Sequence, residues 1–206
     1  MSGEKLFISL VCPSCGGDLC GGDAARIHLC FECRKAYVMD EFPRNLPLMV
    51  LKPRVAHGEE LFYMPFFKIN GDFSFTTQDA QKTRTYRNMN PLGAIYYPAF
   101  PNIRSLYSED LTIRYSLGIG EIDLESESRK APMVDGARNP VHLETIGKLV
   151  WLGYMDKVAD VTDVKAQYAV SSVSYCLVPF EKTADGPREL MLGLTLRGFV
   201  EIAANG

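Results

Sequence analysis

Apolar and polar positions alternate along much of the chain and predict strands more often than helices. The longest apolar runs lie near the C-terminus, where "YAVSSVSYCLVPFE" (168–181) and "ELMLGLTLRGFVEIA" (189–203) flank "KTADGP". Two such runs around a turn rich in Gly and Pro predict a β-hairpin, with Cys176 inside the first run as a small buried hydrophobe. A second hairpin is expected in "ELFYMPFFKINGDFSFTTQ", with Asn70 and Gly71 in its turn. In "LTIRYSLGIGEIDLESES" a period of two sets Glu121, Asp123, Glu125 and Glu127 on one side and Ile122 and Leu124 on the other. Carboxylates about 6.6–6.8 Å apart on one face read as a solvated acidic strand edge, not as a cation site. Helical spacing is expected in "PVHLETIGKLVWLGYMDKV", with Pro140 in its first turn, and in a shorter turn at "NIRSLYSED".

Proline punctuates this pattern. "EFPRNLPLMVLKPRVAHGEE" resists helix and predicts an extended connection containing one strand over 46–51. A boundary near Asn45 then divides the chain into an N-terminal module, 1–45, and a β-rich domain, 46–206. Three similar pentapeptides, "YMPFF", "YYPAF" and "LVPFE", place proline inside strand-like runs, which predicts edges or bulges. The expected fold class is mainly β, with α+β possible: a four-cysteine module followed by a β-rich domain with one or two short helices.

Composition narrows the setting. Of 206 residues 47% are hydrophobic and 23% charged, the balance of a globular chain. A net charge of −3 gives no global attraction for nucleic acid. "MSGEKLFISLVC" has only six consecutive uncharged residues before Cys12 and no cleavage signal, so it reads as uncleaved and cytoplasmic. No run approaches the roughly 18–20 apolar residues of a membrane helix. A reducing compartment disfavours a disulfide framework and turns attention to metal or redox motifs.

Those motifs fall in residues 11–40, which hold five of the six cysteines. Cys12 and Cys15 form one CxxC and Cys30 and Cys33 a second, 14 residues on. Each CxxC aims two sulfurs at one point from a tight turn, so two facing turns close a tetrahedron with metal–sulfur distances of about 2.3 Å. Gly16 and Gly17 supply permissive backbone after the first turn, and Leu19, Ile27, Leu29, Tyr37 and Val38 supply short apolar strands. The pattern "CPSCGGDL" followed by "LCFECRKAY" resembles the zinc ribbon family over residues 11–40. The resemblance implies a small β structure held by Zn²⁺ on Cys12, Cys15, Cys30 and Cys33. The remainder resembles uncharacterised β-rich extensions of bacterial zinc-ribbon proteins, which brings no activity with it.

A complete four-thiolate shell has no open position, so its zinc is expected to stabilise the fold without taking part in turnover. Arg34 or Lys35 would moderate the charge of the centre. A rubredoxin-like iron site uses the same four cysteines and would make the protein an electron carrier; a thioredoxin-like dithiol would need only one CxxC. Cys20 and His28 could each substitute for a ligand, but the four-thiolate shell is already complete and both read as bystanders.

Elsewhere no reaction declares itself. His57 and His142 belong to no metal motif, "GIG" at 118–120 is no dinucleotide fingerprint, and phosphate-loop and nucleophile-elbow patterns are absent. Residues 11–40 carry four acidic against three basic residues, fewer positive charges than nucleic-acid binding favours. The best nucleic-acid segment interleaves Lys82, Arg84, Arg87 and Arg104 with Tyr86, Tyr96, Tyr97 and Phe100. The expected function is a noncatalytic zinc-binding adaptor or subunit of a larger cytoplasmic protein assembly, with protein partners. A nucleic-acid- or transcription-associated regulator is the alternative, and the iron carrier is third.

Overall fold

The computed structural model describes residues 11–22, 25–39, 44–58, 60–100, 105–125, 132–136 and 140–196. The expected features at residues 1–10, 102–104, Glu127 and 197–203 lie outside them. Among the described residues seven strands form one sheet: β1 (Ile27–Cys30), β2 (Lys35–Val38), β3 (Arg44–Val50), β4 (Leu61–Thr76), β5 (Ile95–Pro98), β6 (Lys165–Glu181) and β7 (Arg188–Glu189). Three helices accompany it: α1 (Ala80–Arg87), α2 (Ser105–Gly118) and α3 (Leu143–Asp156). The order is β1-β2-β3-β6-β4-β5, with β7 beside β6. Only β3 and β6 run parallel, so the fold is mainly β with a mixed sheet. No described helix is long and apolar enough to cross a membrane.

β4 and β6 pair along their whole lengths and form the spine. Their central runs are continuously apolar because both faces of the sheet are covered. Tyr63, Phe67, Ile69, Tyr175 and Leu177 enter one core with Leu143 and Val150 of α3 and with Ile27, Leu29, Ala36 and Val38 of the β1–β2 hairpin. Phe62, Met64, Phe66, Cys176, Val178 and Phe180 enter the other with Leu111 and Tyr115 of α2. Toward the far end only one face is covered, and alternation returns: Phe73 stacks on Trp151 with ring centroids 4.6 Å apart, while Asp72, Ser74 and Thr76 are exposed.

The three proline pentapeptides occupy adjacent strands, with Phe66 opposite Pro98 and Tyr63 opposite Pro179. A strand residue points its N–H and C=O to the same side. The Pro65 carbonyl accepts from Ala99 N just past the end of β5, so the missing N–H interrupts no ladder.

Several expectations are corrected. Asn70 and Gly71 form no turn: β4 runs straight through them, with a register shift against β6 at that step. A Cβ on Gly71 would stand 2.4 Å from the Ala169 carbonyl oxygen, so glycine serves close backbone approach at a bulge. Residues 111–118 are helix, not strand. Leu111, Tyr115 and Ile119, spaced by four, meet the same core, a helical period hidden behind the local alternation. Glu121 and Asp123 are exposed on an extended segment beside residues 50–52, but Leu124 is exposed as well and Glu125 is half-buried, so the expected two-sided alternation does not hold.

Among the described residues, the second run of the C-terminal hairpin is strand only at β7. Beyond it the chain curls around the fully buried Glu189 carboxylate, which accepts from the backbone N–H of Met191 (2.8 Å), Leu192 (2.9 Å) and Leu194 (3.0 Å) and from the Tyr115 hydroxyl. A carboxylate holding these donors outweighs the β preference of the apolar run. Helix α1 was not anticipated, although Asp79 caps it by accepting from Gln81 N and Lys82 N. α3 forms within the expected segment, but Pro140 lies two residues ahead of its N-cap, His142, and not in its first turn. β3 pairs with β2 through 44–47 and with β6 through 48–50, so the boundary drawn at Asn45 falls within one strand.

Candidate metal centre

The first CxxC lies in a tight turn at 12–17. Cys12 N donates to Gly17 O (2.7 Å), Gly16 N donates to Cys12 O (2.9 Å), and Gly16 takes φ +78°, where a side chain would be strained. The second CxxC spans the end of β1 and the β1–β2 turn. There Arg34 holds a left-handed φ of 53°, and its carbonyl accepts from Leu48 N (2.9 Å), which ties the turn to β3. Cys20 and Leu29 exchange two backbone hydrogen bonds of 2.8 Å and lay the first segment along β1.

The register of the β1–β2 hairpin sets its chemistry. Ile27 opposite Val38 and Leu29 opposite Ala36 face the main core, so His28, Cys30, Lys35 and Tyr37 share the other face. Cys30 thereby meets the first turn. The sulfurs of Cys12, Cys15, Cys30 and Cys33 all lie within 4.8 Å of one another. Cys12 Sγ stands 3.5 Å from Cys33 Sγ, and Cys15 Sγ stands 3.4 Å from Cys30 Sγ. A tetrahedron with metal–sulfur bonds of about 2.3 Å has edges of about 3.8 Å, so the four thiols fit one soft metal ion.

The surroundings are uneven. Cys12 and Cys30 are buried, Cys33 is half-buried and Cys15 is exposed. The buried Tyr37 hydroxyl lies 3.2 Å from Cys12 Sγ and 4.0 Å from Cys33 Sγ, and it bonds Ser14 Oγ at 2.7 Å. A thiolate only accepts, so with Cys12 ionised the tyrosine turns its proton to sulfur and Ser14 donates in its place. Lys35 Nζ donates to Ser14 Oγ (2.9 Å), while Arg34 Nη2 reaches the Glu125 carbonyl (3.1 Å). Glu32 Oε2 stands 3.6 Å from Cys15 Sγ.

These neighbours spread the thiol acidities. Burial raises the pKa of Cys12, but hydrogen bonds from Tyr37 and from the N–H groups of Ser14 and Cys15 bring it down to about 6. For Cys15 the Gly17 N–H lowers the pKa, but contact with the Cys30 thiol, burial and contacts with Cys12 and Cys33 together outweigh it and drive the value up to about 12. Cys33 is raised by burial and by Cys30. One thiol ionises readily and suppresses its neighbours, so four thiolates require a cation among them.

Other residues singled out in the sequence stand apart. Cys20 and His28 are not in the four-sulfur group. His28 is buried with Nδ1 lacking a hydrogen-bond partner among the described residues, and burial lowers its pKa against the opposing charge of Asp135. Cys176 lies inside the sheet, its thiol pushed up to about 12 by burial. His57 and His142 are exposed. In the basic segment Lys82 is paired with Asp160 (3.2 Å) and Asp163 (2.5 Å), and the buried Tyr86 donates to the Ala159 carbonyl. Tyr86, Tyr96 and Phe100 are buried, which removes three of that segment's four stacking rings from the surface.

Sequence reasoning missed the roles of Tyr37, Ser14 and Glu32. Period two places Tyr37 on the face of Cys30 once the hairpin register is known, so that signal was available for the tyrosine. No protein-family model, curated protein or solved structure matches the chain.

Proposed function

We propose that Cys12, Cys15, Cys30 and Cys33 bind one Zn²⁺ as a structural ion, and that the protein is a noncatalytic adaptor or subunit of a larger cytoplasmic assembly. The observation that carries this reading is the convergence of four sulfurs within 4.8 Å from two turns built into the sheet. Four protein ligands leave no position for substrate, so the ion cross-links residues 11–20 to the β1–β2 hairpin and stabilises that arrangement. Two facing turns beside short strands also support the zinc ribbon reading of residues 11–40. The exposed Val11 and Met39 add apolar surface suited to a protein partner. Iron would suit the same sulfurs, and its charge-transfer colour separates it from colourless zinc.

The nucleic-acid alternative retains the exposed Arg84 and Arg87, but pairing of Lys82 and burial of the rings weaken it. The test is the native mass and metal content of the endogenous protein isolated in mild salt. A stable complex containing one zinc per chain is the expected outcome. A bare monomer overturns the subunit reading, and binding to nucleic acid that weakens steeply with salt favours the alternative.

A further inference from the structure

The four sulfurs are not equivalent, and their differences assign one of them a chemical role that rests on the metal reading above. Cys12 and Cys30 are 2% and 0% exposed, and the Tyr37 hydroxyl covers the side of Cys12 and Cys33. Cys15 is the exposed member of the group, at the rim of the first turn. The Glu32 carboxylate stands 3.6 Å from its sulfur, at the same exposed vertex. Directly behind it, 3.4 Å away and shielded from solvent, lies Cys30 Sγ. An accessible thiolate backed by a second thiol is the arrangement of a peroxide-responsive pair.

We infer that Cys15 is the oxidant-facing vertex of the centre, and that a hydroperoxide opens the centre by joining Cys15 to Cys30. The Cys15 thiolate attacks one peroxide oxygen, the O–O bond breaks and hydroxide leaves, giving a sulfenic acid. The Cys30 thiolate then attacks the Cys15 sulfur, an S–S bond forms and a second hydroxide departs. Two thiolates have supplied the two electrons that the peroxide accepts. Cys12 and Cys33 remain, too few to retain the ion. The disulfide and the Cys20–Leu29 backbone pair keep the first segment on β1, so the oxidised module loses its metal while staying tethered.

The test uses the full chain carrying Cys20→Ser, which removes the competing half-buried thiol, loaded with zinc under reducing conditions and then freed of reductant. Zinc content is measured before treatment. Substoichiometric hydrogen peroxide is added, zinc release is followed with a colorimetric chelator, and disulfides are mapped by mass spectrometry. The expected result is release in step with a Cys15–Cys30 bond, with maleimide labelling Cys15 about tenfold faster than Cys12 or Cys33. Bonds within each turn, Cys12–Cys15 and Cys30–Cys33, overturn the inference, as does first labelling at Cys33. Absence of bound metal before peroxide overturns the metal reading and the inference with it, whereas bound zinc with the wrong bond overturns the inference alone.

Discussion

The four-cysteine region and the β4–β6 spine hold their shapes by different means. Around the sulfurs the buried set is Cys12, Cys30 and Tyr37, flanked by Leu19 and Cys33. Along the spine, apolar side chains fill a core on each face of the sheet, with Phe66 stacked on Tyr115 and set edge-on to Phe100. The first region buries little apolar area of its own, so on the metal reading a cross-link would do there the work that burial does in the second. The β1–β2 hairpin belongs to both, one face in the core and the other under the thiols. This predicts two regions that share a sheet but answer to different perturbations.

The strongest test removes the cross-link. Chelation, or Cys30→Ser, withdraws a contribution that reaches about 10–16 kcal/mol in structural zinc peptides. Hydrogen exchange at Cys20 and Leu29, each of whose N–H groups donates to the other's carbonyl, should accelerate by about a hundredfold or more while the amides of Met64, Phe66, Phe67 and Lys68 stay protected. Equal loss in both regions would dissolve the distinction. The converse perturbation strikes the spine. A Cβ on Gly147 would stand 2.1 Å from Tyr168 Cδ1, in the body of a buried ring that cannot swing away. Gly147→Ala should cost about 1–3 kcal/mol in urea unfolding and leave metal stoichiometry at the wild-type value. A loss of metal in step with stability would show the regions to be coupled.

The smallest effect sharpens the contrast electrostatically. Near the far end of the spine, the Lys82 ammonium and the Thr77 hydroxyl hold the Asp163 carboxyl down at about 2. A carboxyl depressed below its unfolded value near 3.9 contributes stability above that value and loses it as pH falls toward 2. The melting-temperature difference between the wild type and Asp163→Asn should therefore hold steady above pH about 5 and close toward pH 2. A difference that persists undiminished at pH 2 would refute the pairing as its source. Exposure of the group keeps the effect small.

Legibility followed the range of the interactions involved. The CxxC spacings specify their own turns, so the four thiols could be named before any contact was known. α3 was only partly readable: the segment reads as a helix, but its buried face falls on Leu143, Gly147, Val150 and Met155, while Val141 and Leu149 are exposed. The mainly β character was readable because the longest apolar runs are rich in β-branched and aromatic residues. Asn70 and Gly71 misled because a tight turn and a bulge both need a residue without a Cβ clash, and only the neighbouring Ala169 carbonyl tells them apart. In α2, spacings of two and of four both include Leu111, Tyr115 and Ile119, so alternation masked a helix. Residues 189–196 misled because the organising group was one acidic side chain at the start of an apolar run.

The sequence by itself determined the soft four-sulfur donor set, the β-rich body and the absence of recognised catalytic motifs, since each depends on residue type and short spacing. Tertiary structure decided which sulfur faces solvent, that Tyr37 covers Cys12 and Cys33, that Lys82 is neutralised by Asp160 and Asp163, and that β3 joins the thiol region to the spine. Those outcomes depend on register and burial between residues far apart in the chain, and local pattern carries no information about what will stand on the other side.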